Sequence, residues 1–182
     1  MIKFIADFLT FWIPFKSLKK RARISLRTIM FGYKVLTKAE RVGKGLTIAG
    51  PVVVNSKTIL GDNVHLNDMK ISGNGRVTIG SHFFCGNELL IIAQNHNYEG
   101  TKIPYDETFI YKDIEIGDFV WIGSRVMILP GTKIGEGAII QGGAVVHGEI
   151  PPYAIAGGNP AKVFKYRDIE HFKKLKAEGK FR

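Results

Sequence analysis

The sequence predicts an all-β solenoid, a parallel β-helix of short strands and corners, on the basis of two regular spacings. An aliphatic residue recurs every six positions: Ile116, Ile122, Ile128, Ile134, Ile140 and Val146. A small or branched residue lies four positions after each of the first five: Val120, Val126, Thr132, Ala138 and Ala144. A helix repeats its apolar face about every 3.6 residues and a strand about every two, so this period fits neither alone. It fits a short strand, a corner and another strand, each turn of chain stacking on the last.

The same period runs less regularly through the preceding part of the chain, from Val42 to Ile91. One residue is inserted near 72–75, where Gly and Asn cluster. The next step, from Ile91 to Ile116, is twenty-five residues long. This interval predicts a loop extruded from the coil at about 94–112, in a stretch with Asn, Gly and Pro. Long loops on a rigid scaffold commonly carry function.

The N-terminal segment, residues 1–41, lies outside the repeat and is strongly basic, in a chain whose net charge is +10. Such a balance favours anionic partners such as phosphates or an acidic membrane surface. Its apolar part precedes the basic run, the reverse of a signal peptide, and Asp7 and Pro14 interrupt any spanning helix. The apolar part contains aromatic residues at roughly helical spacing: Phe4, Phe8, Phe11, Trp12 and Phe15.

This pattern predicts an N-terminal amphipathic helix with two open interpretations. Its aromatic face could enter the headgroup region of a membrane through residues 1–31, with the basic residues on anionic lipid. Alternatively, the helix could pack on the end of the β-helix or on another subunit. No nucleic-acid-binding module surrounds the segment, so nucleic acid is not expected as a partner.

After Val146 the repeat is broken by Pro and Gly residues. A final strand at 161–166 and a basic helix from Asp168 to Lys180 follow, and the helix is expected to cap the solenoid. The chain thus divides into three parts: 1–41, helical and basic; 42–166, the β-helix with its loop; and 167–182, the C-terminal helix. The single cysteine, Cys85, falls at an inward position, which predicts a core role and excludes an internal disulfide.

The stretches IGDFVWIGSRVMILPGTKIGEGAIIQGGAVV and IPPYAIAGGNPAKVFKYR closely resemble a known family. They are similar to the hexapeptide-repeat acyltransferases with a left-handed β-helix, especially the galactoside/maltose acetyltransferase type and the polysaccharide O-acetyltransferases. The WIG motif at 121–123 and the GNPAKV motif at 158–163 are the most specific parts. The resemblance implies acetyl-CoA as co-substrate, a saccharide acceptor, and a homotrimer with active sites between subunits.

His96, in AQNHNYEG, matches the family's catalytic histidine at the start of the extruded loop. A neutral imidazole can remove the proton from a sugar hydroxyl as that hydroxyl attacks the thioester carbonyl. The family pattern assigns the backbone N–H of Ser124 to the oxyanion. Direct transfer needs no covalent intermediate, so Cys85 is not required as a nucleophile. Glu88 and Glu99 are candidates to orient the second imidazole nitrogen.

The resemblance also implies a cofactor groove and an acceptor site. The expected cofactor-binding residues are Trp121, Ser124, Gly142, Gly143, His147 and Lys162. The expected substrate-binding residues are Asn87, Glu88, Asn95 and Tyr98. Galactoside-type enzymes carry an Asn before the loop, where Gly86 falls here with Asn87 next to it. They also carry a long N-terminal capping domain that this sequence lacks. Both departures argue against a free galactoside or maltose as acceptor.

These observations favour an acetyl-CoA-dependent O-acetyltransferase acting on an envelope polysaccharide, a lipopolysaccharide or a lipid-linked precursor. The enzyme is expected in the cytoplasm or at the inner face of the cytoplasmic membrane. An N-acetyltransferase acting on an amino sugar is the first alternative. A zinc carbonic-anhydrase-like protein would need three converging histidines, whereas His96 stands alone in the loop, so no metal is expected. A non-catalytic trimeric scaffold is the last alternative.

Overall fold

The computed structural model describes the backbone of residues 26–182 and the side chains of residues 29–182. The chain begins with helix α1 (Leu26–Lys38) and then forms a left-handed parallel β-helix of six coils. The first three coils contain β1 (Arg41–Val42), β2 (Thr47–Ile48), β3 (Val52–Val53), β4 (Thr58–Leu60), β5 (His65–Leu66), β6 (Met69–Ser72), β7 (Val77–Ile79), β8 (Phe84–Cys85) and β9 (Leu89–Ile92).

A β-hairpin then leaves the solenoid, formed by β10 (Gln94–His96) and β11 (Phe109–Tyr111). The last three coils contain β12 (Ile114–Ile116), β13 (Trp121–Ile122), β14 (Met127–Ile128), β15 (Lys133–Ile134), β16 (Ile139–Ile140), β17 (Val145–Val146), β18 (Glu149–Ile150) and β19 (Ala154–Gly157). Strand β20 (Lys162–Tyr166) and helix α2 (Ile169–Ala177) complete the chain.

Three parallel sheets form the walls of the prism. Sheet S1 has the order β1-β4-β7-β12-β15-β18, sheet S2 has β2-β5-β8-β13-β16-β19, and sheet S3 has β3-β6-β9-β14-β17. Strand β20 extends S2 by pairing antiparallel with β19. The chain turns from S1 to S2, from S2 to S3 and from S3 back to S1 at three edges. We name each edge by the sheets that it joins.

The six-residue period places one aliphatic side chain of each short strand inside the prism. Ile122 lies in register with Cys85 below and Ile140 above, and all three are buried. Thr132 is a polar inward residue that is also buried. Its hydroxyl donates to the carbonyl of Leu129 at 2.7 Å, which offsets the cost of removing it from water. Burial raises the pKa of the Cys85 thiol to about 11. Cys85 is therefore a neutral core side chain at physiological pH.

The S1/S2 edge contains a column of residues with positive φ. Asn63, His82, Phe119 and Tyr153 have φ between 54° and 61°, a conformation that costs L-residues roughly 1–2 kcal/mol each. The column partly offsets this cost by stacking: the rings of His82 and Phe119 lie 4.7 Å apart and 3° from parallel. The stability gained by stacking regular coils therefore exceeds the cost of placing these residues at positive φ.

Helix α1 packs on the first coil, against β2 and β3, and buries Val35 completely. Helix α2 runs along the S1/S2 edge. Its N-cap Asp168 accepts the N–H of His171 at 2.9 Å, and Phe172 contacts the rings of Tyr153 and Phe119. Neither helix in the described part of the chain is long and apolar enough to cross a bilayer.

Candidate functional site

The hairpin is held in shape by its own polar residues. Register pairs join Gln94 to Tyr111 and His96 to Phe109. In the loop between the strands, the Asp106 carboxylate accepts the hydroxyl and N–H of Thr108 and the N–H of Thr101. These donors hold the pKa of Asp106 below its usual range. The hairpin is therefore an internally hydrogen-bonded platform for the side chains at its base.

His96 is clamped by two aromatic rings of the same hairpin. The Tyr105 ring stacks on the imidazole with centroids 3.9 Å apart and an interplanar angle of 20°. The Phe109 ring contacts it from a tilted position at 4.9 Å. Stacking fixes the plane of the imidazole, and the His96 side chain remains exposed. Within the described residues, neither nitrogen has a hydrogen-bond partner, so both can bind another molecule.

Neither carboxylate expected to orient His96 forms a hydrogen bond with it among the described residues. Glu88 forms an ion pair with Arg125 of the next coil at 3.3 Å. The backbone N–H of Glu99 donates to the Asn97 side chain at 3.2 Å, and the Glu99 carboxylate makes no hydrogen bond within the part of the chain described. The aromatic clamp therefore orients the imidazole in their place.

A second group of predicted residues lies at the S2/S3 edge, where one corner hydrogen bond is missing. In the third coil, the backbone N–H of Asn87 donates to the Ser124 hydroxyl of the fourth coil at 3.1 Å. The Ser124 N–H should in turn meet the corner residue of the fifth coil, which is Gly142. Glycine has no side-chain acceptor. Among residues 26–182 the exposed Ser124 N–H thus has no partner, while its carbonyl accepts the Gly143 N–H at 2.9 Å.

At the S1/S2 edge, three successive corner amides are capped from the next coil. There the N–H of Lys44 donates to Asp62 at 2.7 Å, that of Asp62 to Ser81 at 3.1 Å, and that of Ser81 to Asp118 at 2.6 Å. Each acceptor is the side chain of the corresponding residue one coil later. Gly142 has no side chain that could cap the Ser124 N–H in this way.

Trp121 lies on the outer face of S2, three residues before Ser124. Its register neighbours are Phe84 in the coil below and Ile139 in the coil above. About half of its surface is exposed (51%), so it does not pack beneath the hairpin of its own chain. The indole is thus available to another molecule beside the free amide of Ser124.

One chain therefore holds the predicted site residues in two places. Trp121, Ser124, Gly142 and Gly143 surround the S2/S3 edge together with Asn87 and Glu88. Asn95, His96 and Tyr98 lie on the hairpin at the S3/S1 edge. His147 is an exposed corner residue at the same edge, in the fifth coil. The width of S3, about 13 Å for the four residues of β9, separates the two groups. Lys162 is exposed on β20, opposite Gly157.

No cluster of three or more His, Cys, Asp or Glu side chains that could hold a metal ion occurs in residues 26–182.

Comparison with known proteins agrees with this architecture. A family model described as bacterial transferase hexapeptide, in six repeats, matches residues 113–148. The chain carries the hexapeptide repeat of bacterial transferases. Among curated relatives, WbbJ of Escherichia coli strain K12 is 35% identical over 113 residues. Its name assigns it provisionally to lipopolysaccharide biosynthesis as an O-acetyl transferase. The alignment covers 57% of this chain and 58% of WbbJ, so the chain spans little more than half of that relative's length.

Solved structures give the same result. A galactoside acetyltransferase in complex with coenzyme A is 29% identical, with a TM-score of 0.61. The match covers 69% of this chain and 64% of that chain. The hexapeptide-repeat-containing acetyltransferase VCA0836 of Vibrio cholerae is 23% identical, with a TM-score of 0.68. The match covers 78% of this chain and 82% of that chain, and it shows that the two share a fold. The resemblance to hexapeptide-repeat acyltransferases is confirmed.

The aromatic clamp generates a direct spectroscopic prediction. A ring stacked on His96 shifts the imidazole protons upfield, because they lie in the shielding zone of the neighbouring ring. We expect Tyr105→Leu to move the Cε1 proton resonance of His96 downfield and Tyr105→Phe to leave it nearly unchanged. The signal can be assigned with His96→Asn. Tyr111→Leu, which removes a hairpin ring that does not touch the imidazole, is the matched control. An unchanged resonance in Tyr105→Leu would contradict the clamp.

Proposed function

We propose that the protein is an acetyl-CoA-dependent O-acetyltransferase that acts on a saccharide hydroxyl, with His96 as its general base. The observation that carries the proposal is the free N–H of Ser124 beside an exposed Trp121, in a fold shared with enzymes named as acetyltransferases. An unpaired backbone amide on a rigid corner is a suitable oxyanion donor, because it is already oriented and needs no rearrangement.

The reaction follows from these groups. A nitrogen of His96 takes the proton of the acceptor hydroxyl while the hydroxyl oxygen attacks the carbonyl carbon of the thioester. The negative charge that develops on the carbonyl oxygen is stabilised by the N–H of Ser124. The carbon–sulfur bond then breaks, and the sulfur of coenzyme A receives the proton from His96. The products are the acetyl ester and free coenzyme A, and the imidazole returns to its neutral form.

The aromatic clamp assists this proton transfer in two ways. It restricts rotation of the His96 ring, which lowers the entropy lost when the acceptor binds. It also places the imidazolium that forms during the reaction against the π faces of Tyr105 and Phe109, where a cation is favoured. The clamp therefore supplies the orientation and charge stabilisation that a carboxylate supplies in other histidine bases.

The separation of the two residue groups leads to the proposal that neighbouring subunits share each active site. His96 and Ser124 lie on different edges of one prism, and a rigid solenoid cannot bring them together. A second copy, with its hairpin across the S2 face of the first, would place His96 of one subunit beside Ser124 of the other. A head-to-tail contact gives a closed ring when the rotation between copies closes, and we propose that it closes after three copies, as a homotrimer.

The acyl donor has a compatible surface along the S2/S3 edge. Gly142 and Gly143 present only backbone there, and a side chain on Gly143 would meet no atom within 4 Å. A flexible arm can therefore approach the backbone of the fifth coil closely. Lys162, exposed on β20 beyond the last coil, would hold the phosphates, and His147 would line the groove in the proposed assembly.

For the acceptor we propose an envelope polysaccharide, a lipopolysaccharide or a lipid-linked precursor, at the inner face of the cytoplasmic membrane. The name of WbbJ supports this class. Asn95 and Tyr98 beside His96, and Asn87 and Glu88 beside Ser124, would contact the sugar.

Helix α1 supports the membrane location. Its residues Ile29, Met30, Tyr33 and Leu36 are each more than half exposed, and basic Lys34 and Lys38 lie on the same helix. An apolar face flanked by lysines matches an anionic bilayer surface. Most of the predicted interfacial segment, residues 1–25, lies outside the described residues.

Replacement of His96 tests the base. We expect His96→Ala to lower kcat by about 10²–10⁴-fold while acetyl-CoA binding, measured by calorimetry, changes little. His171→Ala, on the outer surface of α2, should retain full turnover. Turnover that survives in His96→Ala, measured as acceptor-dependent release of coenzyme A, would eliminate this histidine as the base.

The corner glycine allows the oxyanion donor to be tested without removing Ser124. Gly142 has no positive φ, and a Cβ there would lie 3.1 Å from the Ser124 carbonyl oxygen, so a small side chain needs only a slight adjustment. In Gly142→Ser the new hydroxyl would accept the Ser124 N–H, and we expect kcat to fall by about 10²-fold. Gly142→Ala adds nearly the same bulk but no acceptor, and it should retain most activity. Equal losses in both variants would show that bulk alone matters.

Vesicle sedimentation of the full chain tests the membrane contact. We expect binding to vesicles of phosphatidylglycerol, little binding to phosphatidylcholine, and weaker binding at higher salt. Tyr33→Glu should reduce the bound fraction, because it places a negative charge on the apolar face of α1. Tyr166→Glu, a comparable exposed position on β20, should not. Equal binding of both variants would assign the contact to another part of the chain.

A further inference from the structure

A groove of about 710 Å³ lies on the outer face of S2, beneath the C-terminal segment. Its floor contains one outward residue from each of the first four coils: Thr47, His65, Phe84 and Trp121. The rings of His65 and Phe84 stack in parallel, 4.4 Å apart and within 3°. The floor is thus a nearly continuous aromatic strip that ends at Trp121.

The wall of the groove is built by α2 and the residues after it. Phe172 packs against Phe119, and Phe181 contacts the rings of His82 and Phe119. Arg182 places its guanidinium 4.9 Å from the centre of the Phe84 ring. The last residues of the chain are therefore positioned over the aromatic strip, with a cation at its centre.

The charged side chains that line the groove are all basic. They are those of Arg167, Lys176, Lys180 and Arg182, and no described lining residue has an acidic side chain. Lys176 is bound to Glu136, and Lys180 pairs with Glu178 at 2.7 Å. Arg167 donates to the Gly137 carbonyl, whereas Arg182 has no carboxylate partner among residues 26–182. The groove therefore combines apolar rings with a guanidinium that is free to bind an anion.

The groove and the corner assigned to the acyl donor both begin in the fourth coil. The corner assigned to the acyl donor begins at Ser124 in the fourth coil and continues through the fifth coil towards β20. The groove begins at Trp121 in the same fourth coil and continues the opposite way, towards the first coil. Two ligands lying along these paths would meet where the acetyl group is transferred.

We propose that this groove binds the acceptor and that the acceptor is an anionic saccharide, a sugar that carries a carboxylate or a phosphate. A sugar ring would lie on the half-exposed Trp121, since an aromatic face buries the apolar face of a pyranose. The acidic group would pair with Arg182, whose planar guanidinium fits either anion in a bidentate manner. The link to acetyl transfer rests on the proposed function, whereas anion binding in the groove does not.

The test measures binding by calorimetry on the full-length protein with glucuronate, glucose 1-phosphate and glucose. We expect one or both anionic sugars to bind at least about tenfold more tightly than glucose, and the ratio between them to identify carboxylate or phosphate as the favoured group. Arg182→Gln should remove this preference. Lys173→Gln makes the same change in net charge on α2, outside the groove, and should retain it.

Acetyl-CoA binding is measured separately, so that the two proposals can fail independently. If acetyl-CoA does not bind but the anionic sugars do, the transferase proposal fails and the saccharide groove stands. If glucose binds as tightly as the anions, or if Arg182→Gln changes neither ligand, the anionic-acceptor inference is overturned. It is also overturned if Arg182→Gln weakens acetyl-CoA and coenzyme A displaces the sugars, because the groove would then belong to the donor.

Discussion

The parallel hydrogen bonds between successive coils are the constraint on which the rest of the structure depends. Strands of two to four residues, such as Trp121–Ile122, are too short to be stable alone. Each forms only because the coils above and below satisfy its backbone groups, at a spacing of about 4.8 Å. Once this register is fixed, every residue lies directly above the residue one coil earlier. Inward columns, outward columns and corners all follow from it.

The same constraint explains how a reactive backbone group can exist on a rigid scaffold. A corner amide can be capped by the residue one coil later, as Asp118 caps Ser81, so a residue distant in sequence can change its state. At the S2/S3 edge the capping position is Gly142, and the amide of Ser124 stays open while its carbonyl remains bonded. The local strand pairing is undisturbed, because Trp121 and Ile122 keep both neighbours.

The sequence predicted the solenoid and its inward columns because a period of six has one physical solution. The interval between Ile91 and Ile116 also predicted the excursion that the structure shows as a hairpin. The role of Ser124 came from resemblance alone, although the eighteen-residue distance to Gly142, three repeats, could have indicated the missing cap. The clamp on His96 could not be predicted. It requires the hairpin register that pairs His96 with Phe109 and the loop path that brings Tyr105 back. Likewise, the charge of Glu88 made it a candidate to orient His96, but Arg125, one coil away, pairs with it.

A solenoid has ends but no single centre, and its stability is distributed coil by coil. Each coil contacts only its neighbours, so opening begins at the termini and moves inward. Trp121 and Ser124 lie in the fourth of six coils, with strands stacked on both sides. The hydrogen-bonded amides of this region, such as those of Trp121 and Gly123, can exchange with solvent only after several coils have separated. The corner that carries Ser124 therefore lies in the part of the solenoid that opens least often.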